Sequence, residues 1–567
     1  MDQKNLDLDS KYVGVLPIVN HFLERLRFSE LLEKHLPRPN KRAKMSPAQA
    51  LEVLIRNIIV CRTPLYSVGE WAMQIAPTLV GLEHHQMRLL NDDRVGRALD
   101  RLFEADRTAM LTELVVHMVG EFGIDLEQFH NDSTTLTLHG EYLEADGHSE
   151  RGKPTSMVTF GHNKDHRPDL KQLLWILTVS EDGAVPVHFK VADGNTEDST
   201  THIETWEVLR RLVGGTKFLY VADCKLCTRE NLHHIARLNG QFITVLPRSR
   251  KEDRLFKEWL LTHTPNWEEI VRHPHPRLKD GPPDIINACE SPILEVDGHR
   301  LIWYHSSHKR QRDAQYRHDQ IGRGYKELDL LKAKLDGPRC RYTTLEGVDQ
   351  AAKTILSDIG AQAWINYEIH PWEKKTYRQE KRGRPGAHTR WRRKVKQCFD
   401  LSWEPNEENI QAAILSDGIF PLLTNRRDLS FLDILACYKS KQPFVEKRHE
   451  LLKNTLEITP AFLKSISRLE AFLFLAYVGL TAHALMERAV RKSMQDKKLK
   501  SLRLYPEARD CTAPTIARII EIFENLQRHI LSTGGDFIRR FDPELTELQE
   551  DIIELLGVAP RSFIVDA

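Results

Sequence analysis

Two strand-like runs that both end in aspartate constrain the fold of this chain more than any other feature. Asp132 ends a run that begins at Phe129, and Asp223 ends a run that begins at Phe218. The surrounding pattern predicts strands at Glu127–Thr137, Gln172–Val179, Ala184–Val191, Lys217–Asp223 and Gln241–Leu246, and helices at Ser199–Leu212 and Thr228–Leu238. Three strands followed by helix, strand, helix and strand are typical of a mixed α/β sheet.

Elsewhere the pattern predicts a helix that starts at Ser46, which can cap it just before Pro47. It also predicts a long polar helix at Ser307–Leu335, and strands at Ser291–Tyr304, Ala363–His370 and Lys396–Ser402.

A third acidic residue, Glu446, lies far downstream in a strongly patterned helical segment. Both aspartates follow strands of what is predicted to be one sheet, so we expect their carboxylates to lie close together. Crowded carboxylates repel one another unless a cation is present. Two divalent ions about 3.5–4 Å apart can activate an attacking oxygen and stabilise a leaving oxygen. The three residues therefore predict metal-dependent phosphoryl transfer on nucleic acid.

Each of these carboxylates also has an ordinary structural explanation. An aspartate after a strand commonly caps a turn or is solvated. Glu446, Glu450 and Lys453 are spaced i, i+4 and i+7, which is equally typical of a surface helix with salt bridges. Glu450 is therefore a rival for the third carboxylate.

The net charge of +1 requires that any basic surface be local. Lys374 to Lys396 contains eleven Lys or Arg residues and one acid, Glu380. Within it, Arg382 and Arg384 belong to a Lys-Arg-Gly-Arg-Pro-Gly segment that resembles an AT-hook, which can lie in a narrow A·T minor groove. The alternative is a basic loop that contacts phosphates without reading sequence.

Two aromatic residues, Tyr377 and Trp391, flank this segment and are predicted either to stack on splayed bases or to pack against protein. A second group of cations, Lys164, Arg167 and Lys171, lies close to the second predicted strand. These side chains are expected to contact DNA near the carboxylates or to solvate a turn.

Composition and segment lengths predict a cytoplasmic protein without a membrane partner. The chain opens with polar residues rather than a signal-peptide pattern. Its longest uncharged stretch, Ala471–Met486, has 16 residues, which favours a buried core helix over a membrane span. Eight cysteines are too few for a disulfide scaffold. Cys224 and Cys227 could bind zinc or act as a redox pair, although no second Cys-x-x-Cys exists and simple packing is expected.

The chain resembles the insertion-sequence transposases of the DDE class, IS-four superfamily type, whose third carboxylate lies in a Y-(2)-R-(3)-E-(6)-K signature. Four blocks carry the resemblance: His130–Thr135, Gly161–Gln172, Asp193–Asn195 with Asp198, and the helical segment from Tyr438 through Lys453 to Arg468. The downstream spacing from Glu446 to Lys453 keeps the six intervening residues. Upstream, Lys441 replaces the arginine, and its distance from Glu446 is one residue too long.

This resemblance implies an α/β fold with an RNase H-like mixed sheet core, interrupted by an inserted β-rich domain and flanked by helical N- and C-terminal regions. The implied domains are 1–115, helical and DNA-binding; 116–249, the first part of the catalytic core; 250–415, inserted; 416–495, the second part of the core with the glutamate helix; and 496–567, helical.

The resemblance also implies that Asp132, Asp223 and Glu446 form the catalytic, metal-binding triad. It implies two Mg²⁺ ions, for which Mn²⁺ can substitute. The implied DNA-binding residues are Tyr438, Lys441, Lys453, Lys164, Arg167, Arg382 and Arg384. Water would first attack the phosphodiester at the element end, and the freed 3′-hydroxyl would then attack the other strand or target DNA.

The expected partners are double-stranded DNA, as terminal inverted repeats and target DNA, and a second copy of the chain in a DNA-bound homodimer. The expected location is the bacterial cytoplasm, at the nucleoid. Two alternatives remain: an RNase H-like metal-dependent DNA nuclease without strand transfer, and a catalytically inactive DNA-binding protein.

Overall fold

Two compact units make up the chain: Met1–Thr244 together with Leu435–Ala567, and Val245–Ile434. The computed structural model describes residues 6–38, 43–61, 63–275, 280–292, 295–337, 340–440, 442–456, 463–507, 509–534 and 536–564. The first unit begins with one strand and a run of helices: β1 (Leu6–Tyr12), α1 (Leu16–Arg25), α2 (Phe28–His35), α3 (Pro47–Val60), α4 (Val68–Met73), α5 (His84–Met87), α6 (Asp92–Glu104) and α7 (Arg107–Phe122).

Helix α3 starts where the sequence predicts a helix start. The Ser46 hydroxyl accepts a hydrogen bond from the Gln49 amide at 3.1 Å, and the Gln49 side chain accepts one from the Ser46 amide at 2.9 Å. This reciprocal pair satisfies two amides that the first turn of a helix leaves without partners. The predicted helix start at Ser46 is therefore confirmed.

The predicted strands between 125 and 247 form a five-stranded mixed sheet. Its elements are β2 (Gln128–Leu138), β3 (Ser149–Glu150), β4 (Lys153–Pro154), β5 (Lys171–Ser180), β6 (Pro186–Ala192), α8 (His202–Val213), β7 (Leu219–Ala222), α9 (Arg229–Arg237) and β8 (Gln241–Val245), of which β3 and β4 form a separate two-stranded pair. The strand order is β6-β5-β2-β7-β8; β2, β7 and β8 are parallel, and the pairs β2–β5 and β5–β6 are antiparallel. The predicted strand positions are confirmed to within two residues.

The second unit contains α10 (Lys251–Leu260), β9 (Glu268–His273), β10 (Asp284–Glu290), β11 (Arg300–Ser306), α11 (Ser307–Asp336), α12 (Leu345–Ile359), β12 (Ile365–Gln379), β13 (Trp391–Pro405), α13 (Glu407–Ser416), β14 (Ile419–Thr424) and α14 (Phe431–Leu435). Strands β14, β11, β10 and β9 are neighbours in that order, and β12 and β13 form a two-stranded sheet. The sequence predicts the long polar helix α11, which is confirmed. It also predicts one strand over Ser291–Tyr304, which is wrong, because a turn at Asp297-Gly298 with positive φ at both residues separates β10 from β11.

The first unit resumes with α15 (Pro443–Glu450), α16 (Ile466–Asp496), α17 (Ile516–Phe523), β15 (Gln527–Thr533), β16 (Asp536–Phe541) and α18 (Glu547–Leu556). Helix α16 is long and apolar enough to cross a membrane, but its apolar stretch is fully buried inside the protein. It packs on α3 and α6, and the Arg468 guanidinium binds both carboxylate oxygens of Asp100 at 2.9 Å. The predicted buried core helix is confirmed.

The purely helical C-terminal region implied by the sequence is a wrong prediction. Strand β15 pairs antiparallel with β1 along seven residues, from Leu6↔Thr533 to Tyr12↔Gln527, and β16 pairs with its other edge. The N-terminal region likewise includes a strand, β1. The β1–β15 pairing joins residues more than 500 positions apart, so no local periodicity of charge or apolarity in the tail could reveal it.

Candidate functional site

The strand register brings Asp132 and Asp223 together. Strands β2 and β7 pair in parallel from Gln128↔Leu219 to Asn131↔Ala222, and the two aspartates are the next residue on each strand. Asp132 is nevertheless not at a strand end, as the sequence suggested, because β2 continues to Leu138 in antiparallel pairing with β5. The Asp132 carboxylate accepts a hydrogen bond from the Ser133 amide at 2.8 Å, and the Asp223 carboxylate accepts one from the Lys225 amide at 2.9 Å.

Glu446 lies in the first turn of α15, which starts at Pro443. Just before it, the Gln442 side chain donates to the Asn131 carbonyl oxygen at 3.1 Å and lies 3.0 Å from His130 Nδ1. One turn further, the buried Arg448 guanidinium donates to the Ala184 and Gly183 carbonyl oxygens, both at 3.0 Å, and to Glu487 at 2.9 Å. These buried contacts fix α15 against the sheet beside Asp132.

The electrostatics of Asp132 connect the three carboxylates. Burial raises the pKa of Asp132 to about 7, and the charges of Asp223 and Glu446 push it the same way, against Lys164. Burial also raises the pKa of Asp223, to which Asp198 contributes. Glu446 makes the smallest of these contributions to the pKa of Asp132. The other two acids that the sequence singled out therefore both act on Asp132 through their charges.

Lys164 lies inside this acidic cluster rather than in a solvated turn. Its ammonium group donates to the carbonyl oxygen and the hydroxyl of Ser133, at 2.6 and 2.9 Å, and lies 3.0 Å from Asp198. The Ser133 hydroxyl donates to Asp198 at 2.6 Å. Burial alone would raise the pKa of Asp198, but these hydrogen bonds and the nearby Lys164 charge lower it overall. Asp198 is thus an ionised neighbour of the triad, held by Ser133 and Lys164.

Tyr438 is a half-buried phenol within range of the charges of the three acids. Burial raises its pKa, and the charges of Asp223, Glu446 and Asp132 add to that effect. Its separation from Glu446 is one residue longer than in the signature. The structure has a π-helical turn at Ala436–Ser440. Such a turn bonds residues five apart rather than four and so holds one more residue.

Lys453 lies in a second π-helical turn, Leu451–Thr455, and forms an ion pair with Asp165 at 2.7 Å. Asp165 also accepts a hydrogen bond from Thr137 at 2.9 Å, so the pair links the glutamate helix to the loop over β2. Arg167 in the same loop binds both carboxylate oxygens of its exposed neighbour Asp169. Lys441 lies outside the described residues.

His449, which the sequence gave no reason to single out, lies beside Asp132. Its Nε2 atom is 3.8 Å from the Asp132 carboxylate, and only 8% of its side chain is exposed. Burial lowers its pKa to about 3, so the ring is neutral. The Asp132 backbone is close enough to oppose this effect of burial on the pKa. A neutral buried imidazole beside the Asp132 carboxylate can serve as a nitrogen ligand.

The donor chemistry of the cluster suits hard divalent cations, because such ions prefer carboxylate oxygens. The charges of Asp223 and Glu446 raise the pKa of Asp132, and a bound cation would relieve this repulsion. Within the described ranges, however, no three His, Cys, Asp or Glu side chains are close enough to hold one ion as they stand. The carboxylates interact through their charges but do not form a preassembled ligand cage.

Other predicted site residues lie elsewhere or serve packing. Arg382 and Arg384 occupy the exposed loop between β12 and β13 in the second unit. Among the described residues neither Cys224 nor Cys227 forms a disulfide, and Cys227 is buried. The cluster members that the sequence missed are Ser133, Asp198, Gln442 and His449. Ser133 and Asp198 belong to the sequence segments that carry the resemblance, but their contact depends on long-range packing.

Comparison with known proteins finds matches to a family model and to solved structures. A family model described as a domain of unknown function, DUF4277, matches residues 8–116. No curated protein matches the chain. Among solved structures, the cryo-EM structure of a piggyBac transposase synaptic complex with hairpin DNA matches with a TM-score of 0.32 and 8% sequence identity, over 87% of this chain and 82% of that one. At that TM-score the similarity supports no inference about fold or function.

Proposed function

We propose that this protein is a DNA transposase that cuts insertion-sequence ends and joins them to target DNA through a DDE triad of Asp132, Asp223 and Glu446. The observation that carries the proposal is the β2–β7 register, which leaves Asp132 and Asp223 side by side. The charge of Glu446 contributes to the raised pKa of Asp132. The mixed sheet of three antiparallel strands followed by parallel strands and crossover helices supports an RNase H-like core.

The three carboxylates would hold two Mg²⁺ ions, or Mn²⁺ in their place, which when bound activate the attacking oxygen and stabilise the leaving oxygen. Lys164 and Ser133 bind Asp198 beside the triad, and the Lys164 charge balances part of the negative charge there. Tyr438 offers a hydroxyl beside the three acids. Lys453 would exchange its ion pair with Asp165 for a DNA phosphate, binding it as a point charge.

The substrates on this proposal are terminal inverted repeats and target DNA, bound by a homodimer in the bacterial cytoplasm. The remaining cations proposed for DNA are Lys441, Arg167, Arg382 and Arg384. Arg382 and Arg384 are exposed, and Arg167 is paired only with its neighbour Asp169 in the described part of the chain.

The test is a Mg²⁺-dependent cleavage assay on linear DNA that carries the element's own ends, followed by a joining assay with target DNA. We expect Asp132→Ala, Asp223→Ala and Glu446→Ala each to reduce cleavage at least about a hundredfold. Glu450→Ala is the matched control, one helical turn from Glu446, and should retain cleavage within about threefold.

The outcomes separate the alternatives. Cleavage without joining would favour a nuclease over a transposase. Specific end binding without cleavage by the wild-type protein would favour a DNA-binding protein that lacks catalysis. Loss of cleavage in Glu450→Ala with activity retained in Glu446→Ala would transfer the third carboxylate to Glu450 and contradict the proposed triad.

A further inference from the structure

The hairpin of β12 and β13 is anchored at one end and exposed at the other. The two strands pair without interruption through fifteen positions, from Ile365↔Pro405 to Gln379↔Trp391. At the inner end, Ile365, Phe399 and Leu401 are buried in a core that α11 and α12 complete. Further out, every residue from 371 to 378 and from 391 to 397 is exposed. The outer half of the hairpin is therefore a two-stranded ribbon with neither face covered.

The register sorts the side chains of this outer half onto two different faces, since successive residues of a strand point to opposite sides. The even-numbered positions form what we term the cationic face: Lys374, Thr376, Arg378, Arg392, Lys394 and Lys396. The odd-numbered positions form the mixed face: Lys375, Tyr377, Gln379, Trp391, Arg393 and Val395. Five of the six cationic-face residues carry a positive charge, compared with two of six on the mixed face.

The cationic face is unfavourable for the hairpin by itself. Lys374 lies directly opposite Lys396, and Arg378 lies opposite Arg392. Like charges in directly opposed cross-strand positions destabilise a strand pair. Among the residues that the structure describes, none of these four side chains forms an ion pair with an acid. A row of unneutralised cations is relieved by binding a polyanion.

The shape of the ribbon fits duplex DNA better than duplex RNA. The major groove of B-form DNA admits a two-stranded β-ribbon, whereas the major groove of A-form RNA is too deep and narrow for side chains to read. The exposed segments, eight residues of β12 and seven of β13, extend over about 23–26 Å at about 3.3 Å per residue, enough to follow several base pairs of a groove. Charge and shape together point to duplex DNA.

We propose that the cationic face of the β12–β13 ribbon docks in the major groove of duplex DNA and contacts phosphates without reading the base sequence. This inference depends on the proposed function only in taking DNA as the ligand. The mixed face, with exposed Tyr377 and Trp391, faces away from the duplex.

The experiment compares two double variants that remove one lysine and one arginine each from neighbouring positions on opposite faces. Lys374→Gln with Arg392→Gln alters the cationic face, and Lys375→Gln with Arg393→Gln alters the mixed face. All four side chains are exposed, so both variants should fold like the wild type, which thermal unfolding checks. Binding of the full-length proteins to a 24-base-pair duplex of arbitrary sequence is measured by fluorescence anisotropy in EDTA, across a salt series.

We expect the cationic-face variant to bind about tenfold more weakly, and the slope of log affinity against log salt to fall in magnitude by about 1.8, or 0.9 for each lost phosphate contact. The mixed-face variant should keep the wild-type slope. Equal losses in both variants would overturn the proposal, because they would indicate diffuse attraction to the whole ribbon. Unchanged binding in both would overturn it too.

A mixed-face variant that loses more affinity than the cationic-face variant would overturn the proposal in favour of docking through the mixed face. Because the assay contains no metal, it is independent of catalysis. Cleavage by the wild type together with equal losses in the two variants would refute only the ribbon. Face-specific binding without cleavage would refute only the transposase.

Discussion

Asp132 has a carboxylate that is costly to ionise in the folded protein. Burial raises its folded pKa to about 7 from an ordinary value of 3.8. As pH rises, Asp132 therefore ionises first in the unfolded chain. The resulting loss in the free energy of unfolding grows between pH 4 and 7 and is complete above pH 7. A bound divalent cation would offset this loss, so the stability of the folded protein should depend on metal through Asp132.

Replacing Asp132 with Asn should therefore stabilise the metal-free protein at pH 8 by about 1–3 kcal/mol, and by less at pH 5. Urea unfolding in EDTA at the two pH values measures the difference. Added Mg²⁺ should stabilise the wild type and not the variant. A variant less stable than the wild type at pH 8 would contradict the burial argument.

Asp182→Asn is the matched control for this measurement. Burial tends to raise the pKa of Asp182, but hydrogen bonds from Arg488 lower it overall. Its ionised form therefore stabilises the folded state above its unfolded pKa, and this contribution is lost as pH falls through the folded pKa. The Asn variant should be destabilised at pH 8, opposite in sign to Asp132→Asn.

At the residue level, the sequence identified the three acids but not what surrounds them. Asp132 and Asp223 were predictable neighbours because parallel strands align their next residues. Lys164 and Ser133 meet Asp198 only because the loop after β4 folds back over β2. His449 lies three residues after Glu446, and its burial beside Asp132 depends on how α15 docks. Such contacts leave no periodic signal in the chain.

Among the elements, the glutamate helix α15 is attached to the sheet by the side chains of Gln442 and Arg448, and Gln442 is the one next to Asp132. Gln442 bridges His130 and the Asn131 carbonyl, next to Asp132. Gln442→Ala should lower the free energy of unfolding by about 1–3 kcal/mol, because the buried groups lose the partners that Gln442 supplies. Urea unfolding measures the loss.

Glu450→Ala, on the exposed side of the same helix, is the control and should change the free energy of unfolding by less than about 0.5 kcal/mol. Equal effects of the two substitutions would show that Gln442 does not anchor the helix. A selective effect of Gln442→Ala on unfolding, together with reduced cleavage, would support its positioning role for Glu446.

Strands were predicted correctly from the sequence where burial gives them an apolar or alternating pattern, and incorrectly where they are exposed and lack that pattern. The sheet strands alternate or are continuously apolar, and their positions were confirmed. For β12 and β13 the sequence predicted only Ala363–His370 and Lys396–Ser402, whereas the strands extend to Gln379 and back to Trp391. The missing halves are exposed on both faces and rich in Lys and Arg, so no apolar alternation marks them.

In the whole molecule, the first unit is assembled from both ends of the chain. Strand β1 covers one edge of β15, whose other edge is covered by β16. A chain lacking residues 1–12 should therefore lose protection of backbone amides in 527–533, because β15 becomes an unpaired edge. Hydrogen–deuterium exchange measured by mass spectrometry tests this.

Amides within 470–490, in the middle of α16, are the internal control and should exchange at the wild-type rate, because that segment is buried by other elements. Unchanged protection of 527–533 in the shortened chain would mean that β1 contributes nothing to the stability of this sheet.

The division of the first unit into two chain segments has a consequence for synthesis on the ribosome. Asp132 and Asp223 precede the second unit, and Glu446 follows it. At about 5–20 residues per second, roughly 10–45 s separate the emergence of Asp223 from that of Glu446. A nascent chain halted between residues 406 and 445 already carries both aspartates and the complete β12–β13 ribbon, yet lacks the third carboxylate. If the chain is the transposase proposed above, such an interrupted product should bind DNA through the proposed ribbon without cutting it, and so compete with the finished protein for its sites.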